Sequence, residues 1–203
     1  RFDRTTPMEE TLRALSWLVD QGKILYYGVS EEWSGARIEE AQRIIREYGL
    51  HPLTVIQPQY NMMDRYIEHE LMELCGKYGI GITPFSPLAQ GLLTGKYKKG
   101  EPYPEGSRAT HQADRQINNL LTDENLDRVE KLRKLAGELG VSMPVLALAW
   151  ILRKGIVSSV ITGASRKEQL AGNLAASGFR IPEEVLGEID RILNFVKYER
   201  HVG

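Results

Sequence analysis

Short aliphatic segments alternate with longer stretches of helical periodicity along the chain, and this alternation restricts the fold more than any other feature. Lys23–Ser30 (KILYYGVS), Thr54–Asn61 (TVIQPQYN), Ile80–Ser86 (IGITPFS) and Val157–Gly163 (VSSVITG) read as strands. Their near-continuous apolar character suits a sheet buried on both faces. Pro58 marks the end of the second, since proline donates no ladder hydrogen bond. Helical stripes run through Met8, Leu12, Leu15, Leu18 and Val19, through Ile38, Ala41, Ile44, Ile45 and Tyr48, and through Ile67, Leu71, Leu74, Cys75 and Tyr78. Two more helices, 123–139 and 143–153, separate the third strand from the fourth. Thr122 and Ser142 are their N-caps, and Pro144 falls in a first turn, where its missing N–H costs nothing. Ser165 is expected to open another helix, and Ile181-Pro182 a last one to about Phe195.

Strands alternating with helices imply parallel pairing through right-handed crossovers. An open doubly wound sheet and a (β/α)8 barrel both satisfy the pattern. Four strands fall short of a closed barrel of eight, and a four-strand half has two bare edges. The 203 residues suit one domain. A formal net charge of -1 leaves no basic footprint, so neither nucleic acid nor a membrane surface is expected as a partner. No run approaches the roughly 20 apolar residues of a membrane helix. The single cysteine, Cys75, has no partner for an internal disulfide, which suits a cytoplasmic protein. The first residue is Arg1 rather than methionine, so position 1 is not expected to be a translation start.

Polar residues at the strand ends are the candidates for chemistry. Ser165-Arg166-Lys167-Glu168 follows the fourth strand with the spacing of a capping box. Arg166 and Lys167 then stand in a helical first turn, where the macrodipole disfavours cations. An anion bound at that terminus offsets the cost. Ser86–Tyr97 (SPLAQGLLTGKY) mixes small residues, a hydroxyl and Lys96. Such a segment lets backbone N–H groups approach a phosphate, although an ordinary strand-to-helix turn has the same composition. Ser30 closes the first strand, while Gln57 and Tyr60 close the second. Gln57 requires a partner in a parallel sheet, and Tyr60 offers a flat face for stacking or simply packs. Trp33, on the loop after the first strand, is the tryptophan placed to touch a ligand; Trp17, Trp150 and Cys75 fall on helix stripes as core. His51, His69, His111 and His201 lack metal-ligand spacing, and no metal is expected. No dinucleotide-fold glycine fingerprint, Walker loop or nucleophile elbow occurs. Lys98–Leu121 is polar and long enough to be a functional loop or disordered.

Taken in order, six strings resemble the aldo-keto reductases, most of all the branch of bacterial aldehyde reductases and potassium-channel β-subunits. They are Arg1–Thr11 (RFDRTTPMEET), Gly28-Val29-Ser30, Gln57–Asn61 (QPQYN), Phe85–Tyr97 (FSPLAQGLLTGKY), Ser107-Arg108, and Gly163–Leu170 (GASRKEQL) with Asn173. The resemblance covers nearly the whole chain. It implies an α/β TIM barrel with the four strands here as its fifth to eighth, residues 1–203 forming the C-terminal half of one barrel domain. It also implies NADP as cofactor. Ser30 and Gln57 would meet the nicotinamide amide, with Tyr60 beside them. Phe85, Ser86, Pro87, Leu88, Ala89, Gln90, Gly91 and Lys96 would surround the pyrophosphate, with Arg108 on a loop folding over it. Gly163, Ser165, Arg166, Gln169 and Asn173 would surround the adenosine and its 2′-phosphate. Many relatives carry an acid just before the residue matching Asn173, where this chain has Gly172. The family's catalytic Asp, Tyr, Lys and His belong to the first half of the barrel, so no catalytic residue is expected in this chain. The implied activity is NADPH-dependent reduction of a small aldehyde or ketone by hydride transfer. The implied alternative is an NADP-sensing regulatory subunit, and a homo-oligomer is compatible with either.

Overall fold

The computed structural model describes residues 2–31, 33–110 and 115–195, with the backbone alone at 115 and 116. The elements are α1 (Met8–Asp20), β1 (Gly28–Ser30), α2 (Gly35–Tyr48), β2 (Val55–Gln57), α3 (Leu71–Tyr78) and β3 (Gly81–Ile82), then α4 (Arg115–Leu120), α5 (Asp123–Glu138), α6 (Met143–Leu152), α7 (Lys167–Leu174) and α8 (Glu183–Leu193). Short 3-10 turns lie at Tyr66–Glu68, Ala89–Thr94 and Arg108–Thr110.

The sheet is parallel in the order β1-β2-β3, with Gly28 opposite Val55, Ser30 opposite Gln57 and Ile56 opposite Ile82. Gly28 permits this approach: a Cβ there would stand 2.2 Å from the Val55 carbonyl oxygen. Val157 extends the sheet through a parallel bridge to Ile82, and the Ile161 N–H donates to the Pro84 carbonyl at 3.0 Å. Sequential neighbours in parallel are what right-handed crossovers produce.

All four expected strand segments lie side by side, but the regular ladder is shorter than the sequence suggests. Lys23–Ser30 becomes strand only at Gly28. Leu25 and Tyr26, 79% and 74% exposed, precede it, and no described strand pairs with the outer edge of β1. Pro58 ends β2 at Gln57 as expected, and β3 stops at Ile82, two residues before Pro84. Val157–Gly163 reduces to a single bridge, Val157 to Ile82, with the Ser158 N–H on the Ile82 carbonyl at 2.9 Å beside it.

The helices follow their predicted stripes except at Tyr48, which is exposed with the Arg13 guanidinium over its ring. Thr122 caps α5 by accepting the Asn125 N–H at 3.2 Å, whereas Ser142 precedes α6 without a side-chain cap bond. The core runs through α6, which is buried from Met143 to Ile151 except at Pro144. Trp17 is 62% exposed, against the expectation of a core residue. Trp33 is buried edge-to-face against Phe2 at 5.6 Å, against the expectation of an exposed loop residue placed to touch a ligand. Cys75 is buried as expected, and burial pushes its thiol up to about 11. Lys98–Leu121 is not structureless: it carries the Arg108–Thr110 turn and α4, with Ile117 buried. His111 and His201 lie outside the described residues. His51 is at the surface, its Nε2 paired with Asp20 at 2.8 Å. Among the described residues no group of side chains could hold a metal, and no single helix is long and apolar enough to cross a membrane.

Candidate functional site

Beyond β3 the chain enters a turn with three non-glycine residues in the left-handed region, Ser86 (φ 54°), Ala89 (φ 47°) and Gln90 (φ 58°), followed by Gly91 at φ 103°. Each such residue costs roughly 1–3 kcal/mol and persists only where surrounding bonds over-determine it. Those bonds are present. The Asn61 Nδ2 donates to the Ser86 carbonyl at 3.0 Å, the Gln90 Nε2 to the Ser86 Oγ at 3.0 Å, and the Thr94 Oγ1 to the Gly91 carbonyl at 2.7 Å.

Two cations meet this turn. A Cβ at Gly91 would come within 3.4 Å of the Lys96 Nζ, so the ammonium lies against the turn. The Arg108 guanidinium donates to the Gln90 Oε1. Beside them in sequence, the Tyr97 hydroxyl and the Ser107 Oγ are buried without hydrogen-bond partners among the described residues. Buried polar groups are ordinarily satisfied. Two cations at a tight turn suit a polyanion such as a diphosphate. Pro87 and Ala89 are buried, and Leu88 packs partly buried against the core; they shape the turn from below.

The neighbouring strand ends supply neutral polar groups. Ser30 donates to the Gln57 carbonyl at 3.0 Å, joining the ends of β1 and β2. The Gln57 residue is exposed, and Phe85, half-buried, bridges to Gln59 at the next strand. Tyr60 does not join this face. Burial alternates from residue 57 to residue 60, and Tyr60 falls on the helix side. There its ring packs on Trp150 with centroids 5.3 Å apart, and its hydroxyl donates to Glu68. Burial raises that hydroxyl above the usual tyrosine range. Tyr60 is therefore a core residue, which corrects the expectation of a stacking platform.

Past the fourth segment, α7 starts one residue later than the capping-box spacing predicts. Arg166, not Ser165, holds the N-cap position, and no side chain caps the helix. Gln169 reaches back instead, its Oε1 accepting from both the N–H and the Oγ of Ser165, at 2.9 and 3.2 Å. Gly163, Ser165, Arg166 and Gln169 are exposed and Asn173 is half-buried.

A cavity of about 340 Å³ sits between the turn and α4, lined by Gln59, Asn61, Met63, Asp64, Ser86, Ala89, Gln90, Asn119 and Leu120. A larger cleft of about 850 Å³ opens between α6, the chain after α7 and α8, and none of the site residues expected from sequence lines it. Its buried charges hold elements together: Arg65 bonds Glu68 at 2.9 Å and Asp190 at 2.6 Å under the Phe195 ring, and Arg153 lies over Trp150. We read this cleft as structural. Sequence reasoning did not single out Arg65, Glu68, Asp190, Asn61 or Asn119. The three-residue spacing of Arg65 and Glu68 was its one available signal.

Comparison with known proteins gives the family of the chain. The model of the aldo/keto reductase family matches residues 1–194. A probable voltage-gated potassium channel subunit beta of Oryza sativa subsp. japonica is 43% identical over 177 residues, 87% of this chain and 54% of that protein. L-glyceraldehyde 3-phosphate reductase of Escherichia coli is 39% identical over 197 residues, 94% of this chain and 56% of that protein. The structure of a glycerol dehydrogenase from Gluconobacter oxydans superposes with a TM-score of 0.77 at 30% identity, covering 99% of this chain and 57% of that one. The chain thus spans between half and three fifths of the length of these relatives, and its fold class is the α/β TIM barrel. It belongs to the aldo/keto reductase family.

Proposed function

We propose that this chain is the NADP-binding half of a carbonyl reductase barrel, its four parallel segments being strands five to eight. The observation that carries the proposal is the convergence of Lys96 and Arg108 on the strained turn Ser86–Gly91, beside the exposed end of β2. Lys96, Arg108 and the backbone N–H groups of the turn would hold the diphosphate. Ser30, Gln57 and Phe85 would border the nicotinamide. Gly163, Ser165, Arg166, Gln169 and Asn173 would take the adenosine end, Arg166 being free of any capping duty at the start of α7. The bound dinucleotide supplies the hydride, and the residues of this chain bind it, orient it and shield it from water. Protonation of the carbonyl oxygen falls to the tyrosine that the resemblance assigns to the barrel's first half.

Relatives named as a reductase and a dehydrogenase support an oxidoreductase. The test is NADPH titration followed by fluorescence in the complete protein. Lys96→Met and Arg108→Ala are each expected to weaken binding by about tenfold or more, the worth of a charge-assisted contact. Unchanged affinity in both variants overturns the assignment.

A second reading follows from the relatives named as potassium channel β subunits. There the protein senses NADP, and turnover is incidental. Single-turnover oxidation of bound NADPH by an aldehyde separates the two: a reductase completes it, and a sensor retains its cofactor.

A further inference from the structure

Side chains from outside the turn Ser86–Gly91 hold it at three points: Asn61 at Ser86, Arg108 at Gln90 and Thr94 at Gly91. Thr94 belongs to the same stretch of chain, and Arg108 is itself offered to the ligand. Asn61 reaches the turn from the neighbouring strand end. We propose that Asn61 is the positioning residue of the dinucleotide site, setting the turn in its ligand-ready form through the Ser86 carbonyl without touching the ligand. The inference rests on the reading of this turn as the diphosphate site.

Backbone pairing between the two strand ends runs out at Phe85. Its N–H donates to the Pro58 carbonyl at 3.0 Å, and its carbonyl accepts the Tyr60 N–H at 3.4 Å. The next donor in a parallel ladder would be residue 87, and Pro87 has no N–H. Asn61 takes over where the backbone cannot continue. Its Nδ2 donates to the Ser86 carbonyl at 3.0 Å, on the first left-handed residue of the turn. Two further bonds converge on the residue so placed. The Ala89 N–H donates to the same carbonyl at 3.0 Å, and the Gln90 Nε2 donates to the Ser86 Oγ at 3.0 Å. Ala89 and Gln90 are the other two left-handed residues, so the whole strained run is built on the atom that Asn61 holds.

The Asn61 amide is itself fixed. Its Oδ1 accepts the N–H groups of Met63 and Asp64 at 2.9 and 3.0 Å, and its backbone pairs with that of Asp64 in both directions, at 3.0 and 3.1 Å. One orientation of the amide serves all three side-chain bonds. Turned over, its NH2 would face two N–H donors and its oxygen a carbonyl. Asn61 is 1% exposed, so it offers a ligand almost no surface and acts through the turn. Left-handed residues return to commoner conformations once their supports are gone. Apparent affinity then falls with the fraction of molecules whose turn is correctly set.

The experiment is Asn61→Asp in the complete protein. A carboxylate keeps an acceptor for the Met63 and Asp64 N–H groups but has no proton for the Ser86 carbonyl. Without cofactor, amide exchange at Ala89 should quicken by about tenfold, with Met63 and Asp64 changed by less than about twofold. The Kd for NADP⁺ should rise by about tenfold. Adenosine 2′-monophosphate, which lacks the diphosphate, should bind within about twofold of its affinity for the unsubstituted protein. A general loosening of the fold would weaken both ligands alike. Asn61→Ala removes donor and acceptor together, so exchange at Ala89, Met63 and Asp64 should quicken in concert; it carries the same reading at Ala89 if the aspartate variant does not fold. Three results overturn the proposal: unchanged exchange at Ala89, unchanged affinity for NADP⁺, or equal weakening of the two ligands. NADP⁺ that fails to bind the unsubstituted protein removes the cofactor reading, and exchange at Ala89 then decides by itself whether Asn61 sets the turn.

Discussion

Arg108 donates from its guanidinium to the Oε1 of Gln90, eighteen residues earlier, fastening the 98–121 segment to the turn after β3. Gln90 is in turn tied to Ser86, so a single chain of bonds runs from the segment through the turn. A diphosphate on that turn offers Arg108 a charged acceptor in place of a neutral amide, and charge-assisted bonds are roughly twice as strong.

The first prediction concerns this fastening. Amide hydrogen exchange across 98–110 should slow when NADP⁺ binds to the complete protein, because Arg108 gains a stronger partner and the local opening equilibrium shifts. Gln90→Ala should speed exchange without cofactor and leave the bound state nearly as protected as before. Equal protection with and without NADP⁺ counts against the segment's closing over the dinucleotide.

A preference for NADPH over NADH is expected to depend on Arg166. Its guanidinium stands exposed at the N-cap position of α7, whose first N–H groups no side chain caps. A planar guanidinium grips a phosphate bidentately, and the helix terminus adds donors and a favourable dipole. Arg166→Ala should raise the Kd for NADPH by about tenfold to a hundredfold, corresponding to roughly 1.5–3 kcal/mol. NADH should bind almost unchanged. Equal weakening of both cofactors, measured by fluorescence titration, would make Arg166 structural.

Much of this arrangement is legible in the sequence, and the reasons it fails elsewhere are physical. Hydrophobic periodicity locates α1, α2, α3 and α5 because each buries one stripe, and Pro58 marks the end of β2 because a missing N–H cannot be hidden. Tyr60 was open to two readings, stacking or packing. The deciding quantity, which side of the strand it takes, depends on a register that residue types do not encode. Trp17 was misplaced because it stands on the exposed face of α1 with Arg13, Ala14 and Asp20, away from the packed stripe of Met8 and Leu12. Ser165 has the capping-box spacing, but Gln169 competes for its hydroxyl and the helix begins later. The cavity between the turn and α4 was invisible because it joins residues from three separate segments.

The exposed apolar residues lead to a third prediction. Leu25 and Tyr26 precede the unpaired edge of β1, while Ile161, Leu170 and Leu174 are exposed at the other end of the sheet. Open edges flanked by apolar side chains are templates for association. The purified 203-residue chain should therefore run larger than a monomer by light scattering. Leu25→Lys combined with Tyr26→Lys should shift it towards monomer. A monomeric chain that melts cooperatively would contradict this.

The last prediction concerns the buried pair Arg65–Glu68. Both side chains are nearly inaccessible, at 6% and 5%, and they meet at 2.9 Å, with Asp190 of α8 on the other nitrogen of Arg65. Burial alone would raise the Glu68 carboxyl, but hydrogen bonds from Arg65 and Tyr60 outweigh it and hold the group below the ordinary value of 4.5. A carboxyl whose folded value is depressed stabilises the fold fully above its unfolded value. That stability is lost as pH falls through the folded one. Denaturant midpoints should thus decline below about pH 4.5, and Glu68→Gln should flatten the decline while lowering the plateau. Arg65→Met alone leaves Glu68 buried without its cation and should cost about 3–5 kcal/mol at neutral pH. The double variant Arg65→Met with Glu68→Leu removes both charges and should recover most of that loss, because desolvating the pair offsets much of its attraction. Urea unfolding of the complete protein and the three variants at pH 7 and pH 4 measures each quantity. A double variant no more stable than Arg65→Met would mean that the ring contacts of Arg65 with Phe195 and Trp150, rather than its charge pairing, hold α8 in place.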